Sequence, residues 1–145
     1  MKGKAFKFGD NISTDHIAPG RLFHLRSDLQ EFAKHVLEDA DENFAKNMNK
    51  GDFVVAGNNF GLGSSREHAP QIIKIAGVGA VIAKSFARIF YRNAINIGLL
   101  AIECDTDGID AGDELDLDIK AGTLKNLTKG TITAIEPLPD VMIKL

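Results

Sequence analysis

The chain has little cysteine, no long apolar run and no cluster of basic residues, and each absence excludes a class of function. Cys104 is the only cysteine among 145 residues, so the chain cannot form an internal disulfide or supply by itself the ligands of a zinc or iron–sulfur centre. No segment approaches the roughly 20 apolar residues of a membrane-spanning helix, and no apolar signal sequence follows the N-terminus. We therefore expect a cytoplasmic location.

The charge balance argues against a nucleic-acid partner. The formal net charge is −3, and the lysines and arginines are scattered along the chain. A protein that binds a polyphosphate backbone normally carries a basic patch, which disfavours an RNA-binding regulator here. With 44% apolar and 26% charged residues, no internal repeat and no low-complexity linker, residues 1–145 are predicted to form one globular domain.

The N-terminal third is predicted to contain one strand, one polar loop and two helices. The strand covers Ala5–Phe8, and the loop over residues 9–20 is too polar to enter the core. Ser27 has the position of a helix cap, and the apolar spacing after it predicts an amphipathic helix over 28–38. A shorter helix is predicted over 42–48.

From residue 53 onward, strand and helix patterns alternate, which indicates right-handed crossovers around a parallel core. A helix capped by Ser85 carries an apolar stripe that includes Asn93, and Gly98 stands where a left-handed C-terminal residue is wanted. We expect the Asn93 amide to satisfy backbone groups rather than to contact a ligand. The predicted strands are Phe53–Ala56, Ala80–Ala83 and Leu99–Ile102.

The C-terminal part is predicted to add antiparallel strands next to an acidic segment. Apolar and polar residues alternate from Glu114, with a turn at Ala121–Gly122. Residues 103–118 hold eight acidic side chains and no basic one. Their spacing does not match the calcium loop of an EF-hand, so we interpret them as a solvated sheet edge protected by charge.

Residues 61–70, Gly-Leu-Gly-Ser-Ser-Arg-Glu-His-Ala-Pro, form the most informative motif. The glycines permit a sharp turn, and Pro70 is tolerated only near the start of a helix, which we expect to begin close to residue 69. Ser64, Ser65 and Arg66 then lie in an open loop. Backbone N–H groups, a helix entrance and a guanidinium favour a carboxylate or phosphate beside a proton-exchanging hydroxyl. A purely structural helix cap is the alternative.

A second polar cluster follows the first predicted strand. Asp15 and His16 are suited to acid–base chemistry, because a carboxylate beside a histidine or an arginine is held ionised and oriented. Arg26 directly precedes the Ser27 cap, where a rigid helix start can hold a second guanidinium at a ligand pocket. The structural alternative is a turn with a satisfied histidine ring and a solvated arginine.

Three motifs occur in order along the chain: GDNISTDHI at 9–17, GLGSSREHAP at 61–70 and AKSFARIFYRNAINIG at 83–98. Together they resemble the swivel domain of the aconitase superfamily, in the form of the separate small subunit of 3-isopropylmalate dehydratases and homoaconitases. The resemblance covers nearly the whole chain. It implies an α/β fold with three layers in the order β/β/α. This fold contains a parallel βαβ core and an additional set of antiparallel strands.

The resemblance also implies a function and a partner. The family isomerises hydroxy di- or tricarboxylic acids by dehydration and rehydration, most closely here as 3-isopropylmalate dehydratase in leucine biosynthesis. A large subunit carries the 4Fe-4S cluster, and the swivel domain closes over it in a heterodimer or heterotetramer. Alternatives are a homoaconitase or aconitase-like small subunit, or a non-catalytic anion-binding regulatory module.

Residue roles follow from the same resemblance. It makes Ser64 the base that removes a proton from the substrate carbon, Ser65 and Arg66 the groups that hold substrate carboxylate oxygens, and Asp15 the acidic member of the pocket. Arg26 suits a carboxylate-bearing substrate arm, whereas its apolar neighbours in 22–25 suit an isopropyl arm.

Two features depart from the family pattern. Leu62 replaces a cysteine that is common in the family, which we expect to change packing without removing a catalytic group. Members usually continue into a helical tail, so the ending at 137–145 implies a compact small subunit or a fragment.

Overall fold

A curled seven-stranded mixed sheet is the centre of the computed structural model, in which residues 1–64 and 66–139 are described. The strands are β1 (Lys2–Lys7), β2 (Phe53–Val55), β3 (Ala80–Ala83), β4 (Ala101–Glu103), β5 (Glu114–Asp118), β6 (Thr123–Asn126) and β7 (Thr131–Ala134). The helices are α1 (Thr14–Ile17), α2 (Leu29–Ala33), α3 (Phe44–Asn47), α4 (His68–Ala76) and α5 (Arg88–Ile97), and a 3₁₀ segment covers Gly20–Ser27.

The sheet has a parallel half and an antiparallel half, in the order β4-β3-β2-β1-β5-β6-β7. Strands β1 to β4 run parallel, and β5, β6 and β7 continue from β1 as antiparallel neighbours. Because side chains alternate along a strand, Val54 joins the core under the helices, whereas Phe53 and Val55 pack with Leu115 and Leu124 of the antiparallel half. The predicted β/β/α layering is therefore confirmed.

Several predicted elements lie where the apolar pattern placed them. Strand β3 has the predicted bounds, and α4 begins at His68, one residue before the expected start. Pro70 is the third residue of α4, where a backbone N–H would have no partner within the helix. Gly98 ends α5 with the left-handed conformation expected of it, at φ 79°.

The predicted helix over 28–38 is wrong in its cap and its length. Its cap is Asp28, whose side chain accepts from Glu31 N, and regular helix ends at Ala33. Turns follow as far as residue 40, and Leu37 takes a left-handed φ of 57°. Leu37 is nevertheless fully buried. The apolar spacing therefore predicted the burial of this side chain correctly, but its prediction of a continuous helix was wrong. The shorter helix, predicted over 42–48, is Phe44–Asn47.

Two predictions about polar segments are wrong in part. Ile17 and Ala18, inside the supposedly polar loop, are completely buried. Five of the eight acidic residues in 103–118 are exposed, as expected, but the segment does not form a sheet edge at β5, because β5 lies between β1 and β6. Asp113 is buried just before β5, where it accepts hydrogen bonds from Asn126 Nδ2 at 2.8 Å and from Asp110 N at 2.9 Å. Paired hydrogen bonds offset the cost of burying this carboxylate.

Candidate functional site

Three loops meet at the edge of the sheet where the parallel strands β1, β2 and β3 end. They cover residues 8–13, 56–67 and 84–87. In open parallel sheets, this edge is where ligands bind. Both polar clusters identified in the sequence are here, because Asp15 follows the first loop and Ser64 belongs to the second.

Backbone hydrogen bonds hold these loops together. The central loop is bound to the first loop on one side and to the third on the other. The bonds run from Gly61 N to Ile12 O at 2.7 Å, Thr14 N to Leu62 O at 2.8 Å, Phe60 N to Ser85 O at 3.0 Å and Ala87 N to Phe60 O at 2.9 Å. Ser85, predicted to cap α5, instead accepts from Asn59 N through its hydroxyl at 2.8 Å. The central loop is therefore held on both sides just before Ser64.

Gly61 permits the close approach of α5 to the central loop. Its φ is 87°, and a Cβ atom there would lie 2.3 Å from Phe90 Cγ. We predict that Gly61→Ala lowers the free energy of unfolding by about 1–3 kcal/mol more than Gly112→Ala. Gly112 is the matched control because its φ is 89° and no atom lies within 4 Å of an added Cβ. Urea denaturation measures both, and equal losses would contradict a tight contact with Phe90.

Arg66 connects the two polar clusters through three different contacts. Its Nε donates to Ser64 Oγ at 3.2 Å, its Nη1 donates to Ala18 O at 3.1 Å, and its Nη2 pairs with Asp15 Oδ1 at 2.7 Å. The Arg66 side chain is 21% exposed and that of Asp15 is 65% exposed. The sequence indicated that a carboxylate here would be held by a histidine or an arginine, and the structure pairs it with Arg66.

The Ser64 hydroxyl is accessible at this edge. Ser64 is an exposed residue, and its carbonyl accepts from the buried Thr14 Oγ1 at 3.0 Å. A cavity of about 200 Å³ adjoins it; the lining residues are Thr14, Gly61, Gly63, Ser64, Arg66, Ala87, Arg88, Ile89, Phe90 and Asn93. Ser65 lies outside the described residues. A serine oxygen that accepts from a guanidinium is in an environment that favours its deprotonated form.

Arg26 lies outside this cavity but shares an aromatic neighbour with Arg66. Its guanidinium carbon is 4.4 Å from the centre of the Phe23 ring, and its Nη1 donates to Phe23 O at 3.1 Å. The Arg66 guanidinium carbon is 5.5 Å from the same ring centre. Phe23, which is 40% exposed and was not singled out in the sequence, thus brings both arginines to one surface through cation–π contacts.

Two polar residues have roles other than those expected. His16 Nδ1 accepts from Ser13 N at 2.9 Å as part of a capping box for α1, so His16 is held as a structural turn residue and not as a partner of Asp15. Asn93 is half-buried, lines the cavity beside Ser64, and makes no side-chain hydrogen bond to any residue within the described ranges. The expected satisfaction of backbone groups by Asn93 is therefore wrong for this part of the chain.

His68, like Phe23, is a residue at this surface that the sequence did not single out. Its ring packs 5.4 Å from the ring of Phe32 and 5.6 Å from that of Phe23, between centroids. Its Nε2 is buried without a hydrogen-bond partner among the described residues. Burial, followed by the charges of Arg66 and Arg26, lowers the pKa of His68 below its ordinary value. Only its position two residues after Arg66 hinted at this environment.

We predict that His68 weakens the fold as the pH falls. An unfolded histidine titrates at about pH 6.5. Because the pKa of folded His68 lies lower, the unfolded chain binds the proton first, and stability is lost as the pH falls below that value. Urea denaturation at about pH 7.5 and about pH 5.5 should show that His68→Phe reduces this pH dependence, whereas His24→Gln at an exposed position does not. Equal pH dependence in wild type and His68→Phe would contradict the prediction.

The rest of the described chain offers no obvious metal or membrane site. Burial raises the pKa of the Cys104 thiol to about 11, so it stays protonated near neutral pH. Residues 1–64 and 66–139 contain no group of three or more His, Cys, Asp or Glu side chains arranged to hold a metal ion. No helix within these ranges has the length and hydropathy that a membrane crossing requires.

Known proteins resemble this chain over its whole length. It is 63% identical to "3-isopropylmalate dehydratase small subunit 2" of Archaeoglobus fulgidus over 100% of this chain and 88% of the relative. The same identity and shares hold for "3-isopropylmalate dehydratase small subunit 1" of Thermotoga maritima. A crystal structure titled 3-isopropylmalate dehydratase from Methanocaldococcus jannaschii superposes with a TM-score of 0.91 at 48% identity, over 97% of this chain and 84% of the other. Residues 10–107 match the family described as the aconitase C-terminal domain, and the chain belongs to that family.

Proposed function

We propose that the chain is the small subunit of a 3-isopropylmalate dehydratase, which isomerises a hydroxy-dicarboxylic acid by loss and return of water. The main observation in support is that Arg66 donates a hydrogen bond to the hydroxyl of the exposed residue Ser64 at a cavity where the parallel strands end. The chain also resembles the named small subunits over its whole length. A serine and a guanidinium at a cavity suit a reaction that moves a proton on a carboxylate-bearing substrate.

In this proposal, Ser64 is the base that removes the proton from the substrate carbon. A serine is a useful base only if its alkoxide is stabilised, and the Arg66 Nε that donates to Ser64 Oγ supplies part of that stabilisation. Closure against a partner excludes water and strengthens the same interaction. A carbon–hydrogen and a carbon–oxygen bond of the substrate break and a carbon–carbon double bond forms, so the proton taken by Ser64 and the departing hydroxyl together make up the water that is lost. Rehydration returns both groups across the double bond with their two carbons exchanged.

The remaining residues bind and orient the substrate. Ser65 and Arg66 hold carboxylate oxygens, and two of the five guanidinium N–H groups of Arg66 are left for this after its three protein contacts. Asp15 keeps that guanidinium oriented through its 2.7 Å ion pair with Nη2. A change in Asp15 therefore affects the position of Arg66.

A 4Fe-4S cluster belongs to a partner subunit in this proposal. Such a cluster is held by several cysteine thiolates, and Cys104, the one cysteine of the chain, is buried with a raised pKa. This chain's residues therefore do not fit the cluster. When held by the large subunit, the cluster supplies a Lewis acid for the departing hydroxyl. The present chain contributes the base and the carboxylate contacts.

The proposed partner closes on the strand-end edge. Ser64 is exposed there, and two large apolar side chains on this part of the surface are exposed as well. Ile89 lines the cavity and is 53% exposed, and Phe23, whose ring centre is 5.5 Å from the Arg66 guanidinium carbon, is 40% exposed. Apolar groups around a polar centre are typical of a surface that becomes buried on association. We propose a cluster-bearing large subunit as the molecule that covers it.

Reconstitution tests the function. The chain is combined anaerobically with a cluster-bearing large subunit of the dehydratase type, and turnover of isopropylmalate, citrate and homocitrate is compared. Preference for isopropylmalate supports the proposal, whereas preference for homocitrate or citrate assigns the chain to the homoaconitase or aconitase-like class. No turnover with any substrate, combined with tight binding of these anions by the chain alone, would replace it with a non-catalytic module.

Arg26 provides a prediction about substrate choice. Its exposed guanidinium rests on Phe23, on the surface that also carries Arg66. If Arg26 binds a carboxylate on the variable arm of the substrate, Arg26→Leu should favour isopropylmalate over homocitrate. The ratio of kcat/KM for isopropylmalate to kcat/KM for homocitrate should then rise by about 10- to 100-fold. Arg21→Leu is the control, because Arg21 pairs with Glu38 and Asp39 on the surface. An unchanged ratio in Arg26→Leu would show that this arm is read elsewhere.

A further inference from the structure

The arginines that line the cavity beside Ser64 carry more positive charge than the acidic residues paired with them neutralise. Arg66 is paired with Asp15 at 2.7 Å, and three of its donors already bind protein oxygens. Arg88 lines the same cavity but forms no ion pair with an acidic residue of the described ranges. One guanidinium charge is therefore left over at the cavity, and Arg88 carries it.

Arg88 occupies a place where a cation is normally avoided. It is the first residue of α5, a helix of ten residues whose N-terminal cap, Ala87, provides no side-chain hydrogen bond. A positive side chain at a helix N-terminus opposes the helix dipole, and both attract an anion. Gly61 packs against Phe90, the third residue of the same helix, so this end of α5 is held beside the Ser64 loop.

Asn93 adds a polar group on the same wall. It follows Arg88 by five residues on α5 and lines the cavity without a side-chain hydrogen bond within the described part of the chain. An amide offers two donors and an acceptor, which a carboxylate or a hydroxyl can satisfy. The part of the cavity wall that comes from α5 thus contains one exposed cation and one half-buried amide, both without a protein partner among the described residues.

Resting on the proposed function, we propose that Arg88 binds a second carboxylate of the substrate and that Asn93 hydrogen-bonds the same end of the molecule. The hydroxy-acids of this reaction carry at least two carboxylates. Arg66 holds one beside Ser64, and Arg88, which lines the same cavity, holds another. The two guanidinium contacts fix the substrate at two points, which orients the carbon that loses its proton.

The test uses the reconstituted complex at saturating large subunit and compares Arg88→Ala with Arg92→Ala. Arg92 is exposed on the same helix and does not line the cavity, so it is the matched control. We expect Arg88→Ala to raise KM about 10- to 100-fold with a smaller change in kcat, and Arg88→Lys to recover part of the loss. Asn93→Ala should raise KM in the same direction, and Arg92→Ala should leave it within about twofold.

The outcomes separate this inference from the proposed function. An active wild-type complex in which Arg88→Ala behaves like Arg92→Ala overturns the role of Arg88 and leaves the proposed function intact. An Arg88→Ala variant that only weakens binding of the large subunit, with unchanged KM at saturation, assigns Arg88 to docking and also overturns the inference. A wild-type complex that turns over none of the three hydroxy-acids contradicts both proposals.

Discussion

Ser64→Ala is expected to lower kcat of the reconstituted complex by about 10²–10⁴-fold, because it removes a proton transfer that occurs in the transition state. The loss should be in kcat with KM little changed. The fold should persist, since the Ser64 hydroxyl is exposed and its described contact is the one from Arg66 Nε at 3.2 Å. Steady-state kinetics at saturating large subunit measures the effect.

The design separates a missing base from a damaged loop. Ser27→Ala, at an exposed serine of the 3₁₀ segment, is the matched control and should keep wild-type turnover. Circular dichroism and the affinity for the large subunit should be the same for both variants. Near-normal turnover of the complex that contains Ser64→Ala would exclude Ser64 as the base.

Arg66→Lys is expected to lower kcat/KM by about 10²-fold or more, although the charge is kept. A guanidinium donates in three directions at once, to Ser64, Ala18 and Asp15. A lysine ammonium is a single point charge on a flexible stem and cannot hold all three contacts. Arg21→Lys, in an exposed ion pair with Glu38, is the control and should change kcat/KM little.

A double-mutant cycle of Arg66→Lys and Asp15→Asn tests whether Asp15 acts on the reaction through its ion pair with Arg66. If Asp15 acts by orienting Arg66, the losses caused by Arg66→Lys and Asp15→Asn should not add, because the second change removes a contact that is already absent. Strictly additive losses would mean that Asp15 contacts the substrate independently of Arg66.

Local sequence was a good guide wherever backbone conformation alone imposes a requirement. Pro70 required a helix start nearby, and α4 begins at His68. Gly98 marked the left-handed end of α5. The same reasoning failed for the α2 region, since Ser27 and Asp28 are both good caps and the choice between them depends on packing. Apolar spacing over 28–38 likewise reports burial, which irregular turns also provide.

The candidate site shows the same division. Ser64, Arg66 and Asp15 belong to motifs that are readable in the chain, and the structure brings them into contact. Arg88 and Asn93 were not singled out as site residues, because an arginine after a strand and an amide on an apolar stripe are ordinary features of a helix. Their common cavity with Ser64 arises only when β2 and β3 lie side by side in the sheet.

The sequence by itself determined the parallel and antiparallel halves, the open serine-arginine loop and the family resemblance, because turn geometry, strand patterning and motif order are properties of neighbouring residues. Only the tertiary structure decided that Asp15 pairs with Arg66, that Arg26 lies on Phe23 away from the cavity, and that α5 supplies a second guanidinium. The physical reason is that charge pairing and burial depend on distances between segments far apart in the chain, which are set by how the sheet and helices pack.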